Sequence, residues 1–152
     1  MNLNLMLDRK FFIKNAANIV ARYRKHIFDP AGGGSGARDV KGNTYKAYTS
    51  KYSIAKKSAK LKRSDTKFSQ NKAPVLTGDL LKDFQGFDLI SGGFKFGTPT
   101  QGGKVNNLAK MGRVISSEAK PLPDKVSKYI MDRADKYVKA KLGKIKGGTF
   151  NI

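Results

Sequence analysis

The sequence has no cysteine and only one histidine, His26, among its 152 residues. Without cysteine, the chain can form neither a disulfide nor a thiolate metal site. A single histidine leaves almost no material for an imidazole metal cluster or a histidine-based catalytic triad. We expect His26, near the end of the first helix, either to face solvent or to interact with the C-terminal end of the helix dipole.

Acidic residues are scarce as well, because 11 Asp and Glu stand against 31 Lys and Arg, which gives a net charge of +20. Asp79, Asp83 and Asp88 are close in sequence, but nothing nearby completes the carboxylate site with which a nuclease holds Mg²⁺. We therefore expect a protein that is not an enzyme and that uses no cofactor and no metal. The positive charge predicts attraction to polyanions.

Apolar residues make up only 39% of the chain, and no run approaches the roughly 18 apolar residues of a membrane-spanning helix. The N-terminal residues MNLNLMLDRKFF lack the basic segment that opens a signal peptide. The length fits a single domain, residues 1–152. We expect no membrane contact, and we expect surface loops that become ordered against a partner.

Two segments have the periodicity of amphipathic helices. The first follows a candidate N-cap, Asp8, and ends at Asp29-Pro30. The second begins at Pro123-Asp124 and ends at Leu142-Gly143. The predicted apolar face of the first helix consists of Phe12, Ala16, Ile19, Tyr23 and Ile27. That of the second consists of Val126, Ile130, Ala134 and either Tyr137 or Val138.

Shorter elements are predicted between these helices. A short helix over 78–84 is followed by two apolar runs around Ser91-Gly92-Gly93, a pattern typical of a β-hairpin. Residues 105–114 fit either a brief helix or a strand broken at Gly112. The predicted fold class is α+β, a small antiparallel β-sheet packed by an N-terminal and a long C-terminal helix, with a long basic loop.

The long basic loop is predicted over residues 31–72, after a glycine-rich start. Residues 41–72 hold ten Lys and Arg and one acid, a net charge of +9. The candidate interaction residues in it are Tyr45, Tyr48, Tyr52, Lys56, Lys57, Lys60, Lys62 and Arg63. The loop is either solvated and anchored to the core by its tyrosines, or it is a surface that neutralises phosphates. The tail, residues 144–152, is predicted to be mobile.

Three segments occur in an order that resembles a known family. GNTYKAYTSKYSIAKK (42–57), PVLTGDLLKDF (74–84) and FKFGT (94–98) resemble the bacteriophage virion-morphogenesis and tail-completion proteins, small neck or tail proteins of tailed phages. Arg113 and Pro121-Leu122-Pro123 are similar to that family's Arg/Pro segment before its last helix. The matching residues of the first two segments are Gly42, Tyr45, Tyr52, Lys56, Leu76, Thr77, Gly78 and Leu80.

The resemblance implies a structural protein that forms a homo-oligomeric ring at the head–tail junction or tail end of the virion, after assembly in the host cytoplasm. Adjacent portal, neck or tail proteins are the implied partners, and packaged DNA in the lumen is a further, non-specific one. Thr77 would cap the short helix, Gly78 would reverse the chain and Leu80 would enter the core. The alternative is a non-specific nucleic-acid-binding module of ribosomal or chromatin-like type, which the composition supports equally well.

Overall fold

The computed structural model describes residues 7–32, 35–46, 48–51, 54, 79–84, 87–90, 93–98 and 100–146. The elements named within these ranges are, in chain order, α1 (Arg9–Phe28), α2 (Asp79–Asp83), β1 (Phe87–Ile90), β2 (Gly93–Phe96), α3 (Gly102–Lys110) and α4 (Asp124–Lys146). Ser50, Lys51 and Ile54 are also helical. Helix α1 contacts both strands and α4, so it is the central element of the described structure.

The predicted α+β class with a small antiparallel sheet is wrong, because the structure is mostly helical. Strands β1 and β2 pair antiparallel, with Phe87 opposite Phe96 and Ile90 opposite Gly93, where the sequence predicts a hairpin. Within the described ranges no third named strand extends this pair into a sheet layer. Alternating apolar residues predict each strand separately, but they carry no information on whether another strand joins the hairpin.

Helix α1 begins as the sequence predicts. The Phe11 amide donates to Asp8 Oδ1 at 3.2 Å, so Asp8 is its N-cap. The helix ends at Phe28, and Asp29 takes a left-handed conformation with φ 44°. Phe11, and not the predicted Phe12, is fully buried. Its ring packs against Tyr137 of α4 at a centroid distance of 5.4 Å, a tertiary contact that helical periodicity alone does not specify.

Helix α4 begins at Asp124, as predicted, but it continues to Lys146, beyond the predicted end at Leu142-Gly143. A glycine inside a helix costs about 1 kcal/mol relative to alanine, which weakens a helix without stopping it. Val126 and Ala134 are buried on the face toward the core. The prediction of this face from the sequence is therefore confirmed at these two positions.

Part of the segment predicted as a flexible loop packs on the core. Ala37, Val40 and Tyr45 are all buried. The Val40 amide donates to the Val114 carbonyl at 2.9 Å. His26 lies in the last turn of α1, the second of its two predicted positions, and is half-buried, with Nε2 2.8 Å from the Asp39 carbonyl oxygen. The flexibility of the remainder of 31–72 stays a prediction.

Residues 102–110 form a helix, so of the two predictions for this region, a brief helix or a broken strand, the helix is confirmed. Leu108 is buried, whereas Met111 is 53% exposed because it follows the last helical residue. Gly112 then turns the chain with φ +72°, a conformation that favours glycine. This turn directs Arg113 back toward the core.

Candidate assembly site

A tight turn over residues 39–43 includes Gly42 and Asn43, the first two residues of the family resemblance. The Asp39 carboxylate accepts a hydrogen bond from the Asn43 amide at 2.8 Å and from Asn43 Nδ2 at 3.2 Å. The Gly42 amide donates to the Asp39 carbonyl at 3.0 Å. Gly42 has φ +90°, so a side chain at this position would be strained. The turn leads the chain inward toward Tyr45.

Tyr45 is an anchor in the core. Its side chain is only 3% exposed, and it belongs to the same cluster as Tyr23, Phe28 and Phe84. Its hydroxyl has no hydrogen-bond partner among the described residues, and burial raises its pKa. Because the ring is enclosed by protein, it is not available to stack on a nucleic-acid base. Of the two roles left open for the tyrosines, Tyr45 has the anchoring one.

Arg113 joins the segment after α3 to the segment after the turn. It is 4% exposed, and its Nη2 donates to the Lys46 carbonyl at 2.6 Å. Its Nη1 lies 3.4 Å from the Met111 carbonyl. Its guanidinium carbon also lies 3.9 Å from the centroid of the Tyr48 ring. The buried positive charge is thus met by carbonyl oxygens and an aromatic face, which are favourable partners for arginine.

Leu80 and Phe84 place α2 in the core, with 6% and 4% exposure. The Phe84 ring lies 5.1 Å from that of Tyr23 and 5.6 Å from that of Phe28. The burial expected of Leu80 is thus found. Thr77 and Gly78 lie outside the described residues, so their capping roles stay predictions.

Asp83 has a connecting role that no sequence pattern indicates. Its carboxylate accepts hydrogen bonds from the Thr100 amide at 3.0 Å, the Thr100 hydroxyl at 2.9 Å and the Gln101 amide at 2.9 Å. These bonds connect the end of α2 to the residues that precede α3. An acid followed by a distant Thr-Gln pair has no recognisable spacing, so only the folded chain identifies this connection.

The Pro121-Leu122-Pro123 segment closes the core beside α1. The Tyr23 hydroxyl donates to the Ile115 carbonyl and lies 3.5 Å from the Pro121 carbonyl. Burial raises the pKa of Tyr23 to about 12. Pro123 is fully buried immediately before α4 begins. The Arg/Pro segment of the resemblance therefore fixes the start of α4 against α1.

The structure thus brings Tyr45 and Tyr48 together with Arg113, and it buries Leu80 nearby in the same core. The other sequence-predicted site residues lie outside the described residues: Tyr52, Lys56, Lys57, Lys60, Lys62, Arg63, Leu76, Thr77 and Gly78. In the part of the chain that the structure describes, no cluster of three or more His, Asp or Glu has the arrangement of a metal site. No helix among those residues is long and apolar enough to span a membrane.

No protein family, curated protein or solved structure matches this chain.

Proposed function

We propose that this chain is a structural virion protein that forms a ring at the head–tail junction or tail end of a tailed bacteriophage. In this proposal the helical core forms the wall of the ring. The basic segment 41–72 contacts neighbouring proteins or the packaged DNA, and the protein performs no catalysis.

One observation carries the proposal: the described residues of the family resemblance form one connected unit. Gly42 and Tyr45 lie far from Arg113 in sequence, yet Arg113 binds the Lys46 carbonyl and stacks on Tyr48. The Val40–Val114 backbone hydrogen bond joins the same two segments. These contacts support the proposal because they join the segment that contains Gly42 and Tyr45 to the segment that contains Arg113, and both segments belong to the resemblance.

The composition supports an assembling protein. Few apolar residues and a net charge of +20 favour a chain whose surfaces are completed by neighbours. A ring of identical subunits uses head-to-tail contacts between two different surfaces of each copy. In this proposal the exposed lysines bind acidic surfaces of adjacent neck proteins. Neutralisation of the lysine charges by those surfaces would reduce the electrostatic self-repulsion of the subunit.

The experiment is negative-stain imaging with mass photometry of the purified protein, alone and with purified portal-side neck proteins. We expect closed rings of uniform diameter, formed alone or on the neighbouring protein. A monomer under both conditions, at all concentrations tested, would contradict the proposal.

A second candidate is a nucleic-acid-binding module, which the surface of α1 favours. This helix contains no acidic residue among Arg9–Phe28, and its exposed positions include Arg9, Lys10, Lys14, Arg22 and Lys25. A module of this kind stays monomeric without nucleic acid. The imaging experiment therefore separates the two candidates by oligomeric state.

A further inference from the structure

A basic cleft lies between the C-terminal half of α1 and the first turn of α4. It has a volume of about 370 Å³. Four cationic side chains from three separate parts of the chain line it: Arg22, Lys25, Arg38 and Lys125. His26, Asp29, Gly36 and Val126 complete the lining. None of these described lining residues belongs to the Tyr45–Arg113 cluster or to the basic segment 41–72.

The single carboxylate of the cleft already has partners within its own loop. Asp29 Oδ2 accepts a hydrogen bond from the Gly36 amide at 2.7 Å and lies 3.4 Å from the Ser35 hydroxyl. A Cβ at Gly32 would meet that oxygen, so a side chain at this position would require the Asp29 carboxylate to shift. Asp29 therefore stabilises the loop at the edge of the cleft. Its single negative charge offsets only one of the four positive charges that line the cleft.

The two arginines of the cleft are oriented by neighbouring groups. The guanidinium carbon of Arg22 lies 4.0 Å from the centroid of the Tyr129 ring on α4. Arg38 Nη1 donates to the Ala37 carbonyl at 2.8 Å. Each contact leaves further N–H groups of the guanidinium able to donate, because arginine carries five. Preorganised arginines lose less entropy when they bind an anion.

The positive surface continues from the cleft along α1. Lys10 and Lys14 are exposed on the helix, and the exposed residues between Lys14 and Arg22 are Ala17, Asn18 and Ala21. At a rise of about 1.5 Å per residue, Lys10 and Lys25 are about 22 Å apart along the axis. This row of cationic side chains on α1, which contains no acidic residue, matches a ligand whose negative charges repeat along its length. The small side chains between the cations allow such a ligand to approach the helix closely.

We infer that the cleft and the adjoining face of α1 bind the phosphate backbone of duplex DNA without sequence preference. Nucleic acid presents one negative charge per about 1.7 Å of duplex axis, so it can meet the cleft and the row along α1 at the same time. A single acidic side chain of a protein could fill the cleft but would leave the row unpaired. The inference holds whether or not the chain forms a ring, because the cleft lies within one subunit.

The test must separate this site from the attraction that any protein of charge +20 has for DNA. One variant replaces Arg22, Lys25, Arg38 and Lys125 with glutamine. The matched control replaces four exposed lysines elsewhere, Lys41, Lys110, Lys136 and Lys144, with glutamine. Fluorescence anisotropy with a labelled random-sequence duplex gives the dissociation constant of each protein over a series of salt concentrations.

We expect the cleft variant to bind at least about tenfold more weakly than the control variant at moderate salt. Its slope of log K against log salt should fall by about 0.9 for each phosphate that the variant no longer neutralises, and the slope of the control should change little. Equal weakening in both variants would overturn the inference, since net charge alone would then account for binding. Unlabelled poly-glutamate is the competitor. If it displaces DNA from the parent at equal charge concentration, the cleft is a site for acidic protein and the nucleic-acid assignment fails.

A second measurement needs no substitution and therefore does not depend on whether a variant folds. Titration of the ¹⁵N-labelled parent protein with the same duplex should shift the amide resonances of Arg22–Asp29 and Asp124–Val126 first. Shifts confined to other residues would contradict the site.

Discussion

The two ends of α1 are held to the rest of the protein by partly different contacts. At the C-terminal end, Tyr23, Ile27 and Phe28 are almost completely buried. At the N-terminal end, Phe11 is buried against Tyr137, and an exposed polar cluster adds a second contact between α1 and α4. The Asp8 carboxylate accepts hydrogen bonds from the Tyr137 hydroxyl at 2.5 Å and from Lys141 Nζ at 2.7 Å. Both acid and lysine are about 40% exposed there.

The difference assigns separate roles to the two ends. Burial of apolar surface is insensitive to moderate changes of pH and salt, so the C-terminal end with the Tyr45–Arg113 cluster is the permanent part of the core. An exposed ion pair contributes little, and salt screens it. We therefore expect the polar contacts of Asp8 at the N-terminal end to weaken first when pH or ionic strength changes. The predictions that follow alter one end and leave the other intact.

The largest effect is expected at the buried end. Phe28→Ala removes a ring with no exposed surface and should lower the free energy of unfolding by about 3–5 kcal/mol. Ile13→Ala, on the same helix but 55% exposed, is the control and should change it by less than about 0.5 kcal/mol. Urea denaturation measures both. Similar losses in the two variants would contradict the assignment of the core.

Arg113→Ala should lower the free energy of unfolding by about 2 kcal/mol, because it removes the hydrogen bonds of a buried charged donor and leaves the Lys46 carbonyl without this partner. Arg113→Lys should recover little of this, since lysine lacks the planar fork that reaches a carbonyl and stacks on Tyr48 together. Urea denaturation of both variants and the parent measures these free energies of unfolding. Full recovery by lysine would show that charge alone is needed at this position.

Tyr23→Phe should have a smaller effect of about 1 kcal/mol, because the ring remains and only the contacts of the hydroxyl are removed, among them those with the Ile115 and Pro121 carbonyls. Thermal unfolding of Tyr23→Phe and of Phe28→Ala compares the stability lost with a hydroxyl group with the stability lost with a buried ring of the same cluster. A loss as large as that of Phe28→Ala would mean that the hydroxyl, and not the ring, holds the segment before α4.

Asp8→Asn should have the smallest effect, and that effect should depend on pH. The hydrogen bonds from Lys141 and Tyr137 hold the pKa of Asp8 well below its ordinary value of 3.8. A lowered pKa in the folded state means that the charged carboxylate stabilises the fold above about pH 4, and that this contribution is lost as the pH falls below that value.

Melting temperatures of parent and Asp8→Asn should therefore differ near neutral pH and converge in acid. High salt should reduce the difference, because ions screen the exposed pair. A difference that stays constant from neutral pH into acid would mean that the Asp8 cap contributes through shape and not through charge.

The sequence predicts the long helices well and their tertiary partners poorly. The Asp8 cap and the start of α4 at Asp124 follow from local residue chemistry, and both are confirmed. The choice of Phe11 over Phe12 depends on Tyr137 of α4, which lies beyond any local window. The error in fold class has a similar origin, because pairing of the hairpin with further strands is not encoded locally.

The candidate site, like the fold, is predicted only in part by the sequence. The family resemblance singles out Tyr45 and Arg113 from motifs, but only the folded chain shows that Arg113 binds the carbonyl of Lys46 and stacks on Tyr48. The sequence does not predict that the residues of the basic cleft meet, because Arg38 and Lys125 come from distant segments. The acid-free composition of α1 was the one available sign of it.

The central proposal is that the chain is a component of the virion, and its most direct test is the location of the chain in purified tailed particles. An antibody against the chain, visualised with gold in negative stain, should label each particle at the head–tail junction or the tail end. Mass spectrometry of the same particles should detect the chain at a fixed number of copies. Purified particles that lack the chain, or label spread over the capsid surface, would contradict the proposal.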